Sequence, residues 1–131
     1  MNKLVTSSIA IALFLLAGCA ASGPKLASST ADIVGTWQST TDSGVVQFNE
    51  DGTALGDPAA VNPRPGEFWF EGTQFFIQDS VGCDAGNPIG IYEVELLENG
   101  NLKFTVIEDE CATRATALQG AIVAAEFEPV P

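Results

Sequence analysis

The chain has 131 residues, 17 of them acidic and five basic, for a net charge of −12, and it contains no histidine. That length holds a single domain, and such acidity excludes nucleic acid, whose phosphates must be met by Lys and Arg. The missing imidazole excludes Ser-His-Asp and Cys-His nucleophiles and His-based zinc or haem sites. No Gly-rich phosphate loop occurs, so the expectation is a non-enzymatic protein without cofactor or metal.

The chain opens as a secretory leader. Lys3 supplies a positive end, Leu4 to Ala17 contains the apolar run Ile9–Leu16, and small residues follow. The run is shorter than the roughly 20 apolar residues of a transmembrane helix. Leu16-Ala17-Gly18-Cys19 resembles the lipobox of bacterial lipoproteins. The resemblance implies removal of residues 1–18 and a diacylglycerol on Cys19, which would anchor the protein at a membrane surface outside the cytoplasm. Ala20, rather than Asp, in the second mature position implies the outer membrane of a double-membrane host; in a single-membrane host the site is the outer face of the cytoplasmic membrane. Residues 19–31, small and polar, read as a flexible tether, and residues 32–128 as the folded domain.

From Ile33 the chain is a succession of short β runs between turn signals. Strands are expected at Ile33–Thr40, Gly44–Asn49, Thr53–Leu55, Gly66–Glu71, Gln74–Asp79, Gly90–Leu97, Asn101–Glu108 and Ala121–Phe127. Asp51-Gly52 and Asn99-Gly100 read as tight hairpin turns, the second of type I′. Pro58, Pro63 and Pro65 mark Gly56–Pro65 as loop, and Asp109–Gln119 is the helical candidate. Alternation puts Val46, Phe48, Phe68, Phe70, Tyr92, Val94, Leu96, Leu102, Phe104 and Val106 on one side. The predicted fold is therefore all-β: an eight-stranded antiparallel up-and-down barrel with one short helix before the last strand. A two-sheet sandwich is the rival architecture. Adjacent Phe75 and Phe76 cannot both face one core.

Cys83 and Cys111 form an even pair in an exported chain and read as a disulfide. The acids Glu108, Asp109 and Glu110 lie beside Cys111, while Asp79 and Asp84 lie near Cys83. The bridge would gather them, either as solvated loop acids with one pairing Arg114 or as oxygen ligands for Ca²⁺. Trp69 alternates with Glu67 and Glu71 on the outward face, where it either packs under the Pro-rich loop or anchors a partner.

Several short motifs resemble small bacterial lipocalin-like (calycin-type) lipoprotein domains. Gly35-Thr36-Trp37 resembles the Gly-x-Trp opening of lipocalins, and Phe48-Asn49-Glu50-Asp51-Gly52-Thr53 resembles their second hairpin. Gly90-Ile91-Tyr92 with Asn99 to Phe104 resembles a later hairpin, and Asp109-Glu110-Cys111-Ala112-Thr113-Arg114 a D-x-C-x-x-R element. The resemblance implies a barrel whose end is capped by Trp37 with Arg114 packed across it, and a binding role. Phe48, Phe70, Tyr92 and Phe104 are then the candidate ligand or core lining. The ligand would be small and apolar; the alternative is a monomeric, fully packed acidic module that binds or inhibits a basic protein of the cell envelope.

Overall fold

The computed structural model describes residues 23–80, 83, 86–120 and 124–131. The leader, Cys19, Asp84 and the expected start of the last strand at Ala121 lie outside the described residues.

Eight strands form a closed, all-antiparallel barrel in sequence order. They are β1 (Gly35–Ser39), β2 (Val45–Phe48), β3 (Thr53–Gly56), β4 (Arg64–Glu71), β5 (Gln74–Asp79), β6 (Gly90–Leu96), β7 (Leu102–Glu108) and β8 (Glu126–Pro129). A helix, α1 (Ala112–Gln119), precedes β8. Closure falls on β1, which pairs with β2 on one side and with β8 on the other. The barrel therefore presents no free sheet edge there.

The inward set expected from alternation is the core, with Tyr92, Val94, Phe48, Phe104 and Leu102 almost wholly buried. At its centre stands Phe75, fully buried. Its ring lies 5.6 Å from Phe48, 5.5 Å from Phe70, 6.4 Å from Tyr92 and 5.6 Å from Phe104, mostly edge to face. Phe76 points outward and stacks on Trp69 at 5.4 Å with planes 12° apart. The adjacent phenylalanines are thus divided between the two faces of β5.

Several boundaries differ from the sequence reading, each for a local reason. Strand β4 starts at Arg64 and takes in Pro65. That proline ends the β4–β5 ladder: its carbonyl still accepts from the Ser80 N–H at 2.9 Å, and its missing N–H forfeits one terminal bond. Strand β8 is Glu126–Pro129 rather than Ala121–Phe127. Ala125 still donates to the Gln119 carbonyl, so the chain is leaving the helix there. Pro129 fits because the bonds on the β1 side are made by its neighbours: Val130 N–H donates to the Thr36 carbonyl, and the Glu126 carbonyl accepts from Thr40 just past β1. The proline nitrogen faces the other way, where the β7–β8 ladder, only Leu102 and Lys103 against Phe127 and Glu126, has ended.

The Asn99-Gly100 turn is not type I′, since Gly100 (φ +88°) has positive φ and Asn99 does not. Gly100 N–H donates back to Leu97, and Leu97 N–H to Asn101. This is a three-residue hairpin, a tight turn closed by a left-handed glycine. The same pair of bonds closes Asn49 to Thr53 around Gly52.

Part of the segment expected to be a flexible tether, residues 25–27, is paired with the barrel. Strand β6 outruns β5, whose first residue, Gln74, pairs with Glu93. Beyond that point the chain's own N-terminal segment supplies the missing partner. Ala27 N–H donates to the Val94 carbonyl, and Leu96 N–H to Lys25, both at 2.8 Å. Ala27 is fully buried, and Thr30–Asp32 form a single 3-10 turn leading into β1. An unpaired strand edge is costly, which explains why a polar, small-residue segment is ordered here.

Candidate functional site

The strands alternate in direction, so the connections fall at two ends. One end holds the tight turns at Asn49–Gly52, Gly72-Thr73 and Leu97–Asn101. There Trp37 donates its indole N–H to the Ile33 carbonyl at 2.8 Å, and Ile33 is fully buried against the core. The other end gathers the longer connections β1–β2, β3–β4, β5–β6 and the segment carrying α1. Among the described residues, the buried charge lies at this second end.

Its centre is Arg114, on α1 and 5% exposed. With Leu118 one turn later it forms the buried face of the helix. The guanidinium grips Asp109 bidentately, Nε to Oδ2 at 2.8 Å and one terminal nitrogen to Oδ1 at 2.7 Å. It also donates to Asp79 at 3.2 Å and to the Pro88 carbonyl at 2.8 Å. The Tyr92 hydroxyl donates to the same Asp109 carboxylate from inside the barrel. Cys111 N–H completes the shell of Asp109 at 2.8 Å.

Two local devices hold this network. The Cys83–Cys111 disulfide, with Cα atoms 5.4 Å apart, ties the β5–β6 connection to the residue before α1. Gly90 makes room for Asp109. A Cβ there would stand 2.5 Å from Asp109 Oδ2 and 2.8 Å from Tyr92 Cε2, so any side chain would displace the carboxylate.

The charges respond accordingly. Burial alone would push the Asp109 carboxyl up, but the Arg114, Tyr92 and Cys111 hydrogen bonds overcome it and hold the group below the ordinary carboxylate range. Burial, reinforced by Asp109, pushes the Tyr92 phenol far above its usual value. For Arg114 burial opposes the charge and the Asp109 bond outweighs it, raising the group further. The triad is therefore Asp⁻, Arg⁺ and neutral Tyr at any ordinary pH.

Above the triad, between α1 and the ends of β1 to β5, lies a cleft of about 250 Å³. Its wall is apolar, formed by Val46, Ala54, Ile77, Leu118 and Phe127, with Ser39, Asp42, Asp57, Arg64, Asp79 and Arg114 around it. Arg64 pairs with Asp57 at 3.1 Å, with both side chains more than 40% exposed.

The sequence-derived sites divide against this geometry. Cys83 and Cys111 are bridged as expected. Trp37 and Arg114 are both buried but point to different places: the indole reaches back toward Ile33, while the guanidinium is taken up by Asp109, Asp79 and Pro88. Arg114 meets Tyr92's partner rather than Trp37. Phe48, Phe70, Tyr92 and Phe104 do not line the cleft. They surround Phe75, which fills the volume between them, and this makes them core. Trp69 stacks on Phe76 rather than under the Pro-rich loop, its N–H reaching Glu71 at 3.3 Å.

For a Ca²⁺ site, Asp79 and Asp109 do converge, but on a guanidinium, which takes both Asp109 oxygens and one Asp79 oxygen. Asp79 also lies within 4.8 Å of both cysteine sulfurs, which are bonded to each other and so are not thiolate ligands. Sequence reasoning allowed for one of these acids pairing Arg114, as Asp109 does, but missed the Tyr92 hydroxyl that joins them and the role of Gly90. The cue within reach was Asp109 and Arg114 on either side of a bridged cysteine.

No family model, no curated protein and no solved structure matches this chain.

Proposed function

We propose that this protein is a non-catalytic, lipocalin-like binding domain, lipid-anchored through Cys19 outside the cytoplasm, which takes its small ligand in the cleft at the α1 end of the barrel. The observation that carries this reading is the contrast between two parts of the interior. An eight-stranded barrel is just wide enough to be filled by its own side chains, and here Phe75 and its neighbours do fill the centre. The end beneath α1 keeps an apolar-walled space, about 250 Å³, with polar groups converging on it. Apolar walls with a few fixed polar groups are the usual composition of a small-ligand site. The volume suits a ligand smaller than a fatty acid.

Two measurements test the proposal. Palmitate labelling of the protein in a bacterial host should be lost in Cys19→Ser; labelling that persists would remove the anchor. Titrating a panel of small apolar compounds into the mature protein should shift the methyl resonances of Val46, Ile77 and Leu118. A panel that leaves all three unmoved refutes the cleft as a binding site.

A second reading is supported by the Trp69–Phe76 stack on the outer face of β4 and β5. Glu67 and Glu71 frame it along β4, and Ile91 of β6 pairs beside Phe76. Trp is enriched at binding hot spots, and an acidic frame suits a basic protein. Trp69→Ala should then abolish capture of such a partner, and raised salt should weaken it.

A further inference from the structure

The cleft carries a charge imbalance that its apolar wall does not hide. Six ionised groups belong to it: Asp42, Asp57, Asp79, Arg64 and Arg114 at the surface of the space, and Asp109 immediately behind Arg114. The two arginines are already matched. Arg114 is gripped by Asp109, whose side chain is fully buried and offers nothing further to the cleft. Arg64 is paired with Asp57 across the β3–β4 connection. That leaves Asp42 and Asp79 as carboxylates in excess. Asp79 receives a single bond from a guanidinium whose main partner is Asp109. Asp42 accepts only a backbone N–H, from Gly44 at 2.9 Å, among the described residues. No lysine lines the space, and the chain as a whole is at −12. An anionic amphiphile would meet repulsion both locally and from the whole molecule, and a neutral one would leave the imbalance unused.

We infer that the cleft takes a small amphiphilic cation, an aliphatic or single-ring body bearing an ammonium group. The body lies on Val46, Ile77, Leu118 and Phe127, and the ammonium sits against Asp42, on the β1–β2 connection at the rim. This inference rests on the cleft being a binding site, and it names the class of ligand. At about 250 Å³ the space falls below the range of drug-sized pockets, which starts near 300 Å³. The body is therefore short. The ion pair stands at a rim open to solvent, so salt should screen it.

The test uses the mature lipoprotein in nanodiscs of zwitterionic lipid and three probes of one size: pentylamine, pentan-1-ol and pentanoate. Binding is followed at the Ile77 and Leu118 methyl resonances. Pentylamine should bind about tenfold more tightly than pentanol, equivalent to about 1.4 kcal/mol, and pentanoate more weakly than either. Raised salt should weaken pentylamine alone. Asp42→Asn should bring pentylamine close to pentanol. Glu50→Gln, which makes the same charge change in a turn at the opposite end, should leave the preference intact. Pentanol or pentanoate binding as tightly as pentylamine would overturn the cationic assignment while leaving the cleft as a site. Equal losses in Asp42→Asn and Glu50→Gln would overturn it too, because the preference would then belong to net charge. If none of the three probes moves either resonance, the binding reading falls together with this one.

Discussion

Tyr92 is the only tyrosine in the chain, and its hydroxyl is committed to the Asp109 carboxylate inside the barrel. The perturbation is therefore alkali. Burial first, and the adjacent carboxylate second, push the phenol well above its ordinary value of 10.0. The unfolded chain has no such constraint, so its tyrosine ionises near that value while the folded one stays neutral. A raised folded pKa contributes stability that is complete below the unfolded value and is lost as pH climbs above it. The loss amounts to about 1.4 kcal/mol for each pH unit beyond 10, one proton's worth. The assay is the tyrosinate absorbance band followed alongside circular dichroism. Tyrosinate should appear only as the barrel unfolds, with the two transitions superimposed. A tyrosinate band rising near pH 10 in a protein whose dichroism is unchanged would refute the buried Tyr92–Asp109 bond. In Tyr92→Phe the pH-dependent loss of stability above 10 should shrink by that slope.

The acid limb has the opposite sign. Asp109 is depressed in the fold, so its contribution is present above the ordinary carboxylate value of 3.8 and disappears as pH falls below it. Denaturant midpoints measured downward from pH 5 should fall more steeply than those of Asp109→Asn. Gly90→Ala places a methyl against Asp109 and Tyr92 and should cost about 1–3 kcal/mol, the range for overpacking; a neutral effect in chemical denaturation would show that the triad shifts freely. Phe75→Ala should cost about 3–5 kcal/mol as a cavity in the core. Phe76→Ala, which removes only an outer stacking partner, should cost about 0.5–1.5 kcal/mol, and equal losses would contradict the division of the two rings. Reducing the Cys83–Cys111 bridge, which closes a separation of 28 residues, should lower stability by about 3–4 kcal/mol on the chain-entropy account. The cleft methyls next to α1 should shift on reduction more than those around Phe48.

Much of this barrel was legible from residue order. Strand alternation is a local property with period two, so the inward positions of Phe48, Phe68, Tyr92 and Phe104 followed from side-chain direction alone. Turn residues marked most of the connections. The Cys83–Cys111 bridge followed from parity in a chain whose leader predicts export, without any geometry. What lay beyond the sequence was everything set by a distant partner. Pro65 reads as a breaker and the last strand is expected to stop at Phe127, short of Pro129, yet the ladder on their other side makes both prolines tolerable. Residues 25–27 read as tether, and become structured because β6 projects past β5. The sequence offers Arg114 two partners, the Trp37 indole and one of the loop acids, and a guanidinium goes to the desolvated carboxylate. The packing of α1 over the barrel end makes that carboxylate Asp109.

The same distinction holds for the candidate site. Composition determined that the protein is acidic, lacks imidazole chemistry and has aromatic side chains enough to fill a small barrel. Whether those rings leave a cavity depends on which of Phe75 and Phe76 turns inward, and that is decided by register against Phe70 and Tyr92, residues on two other strands. Phe75 closes the centre of the barrel, and the space that remains lies at its end. Only the assembled fold brings Asp42, Asp79 and Leu118 around it, because local propensity carries no information about which loops share an end once the sheet has closed.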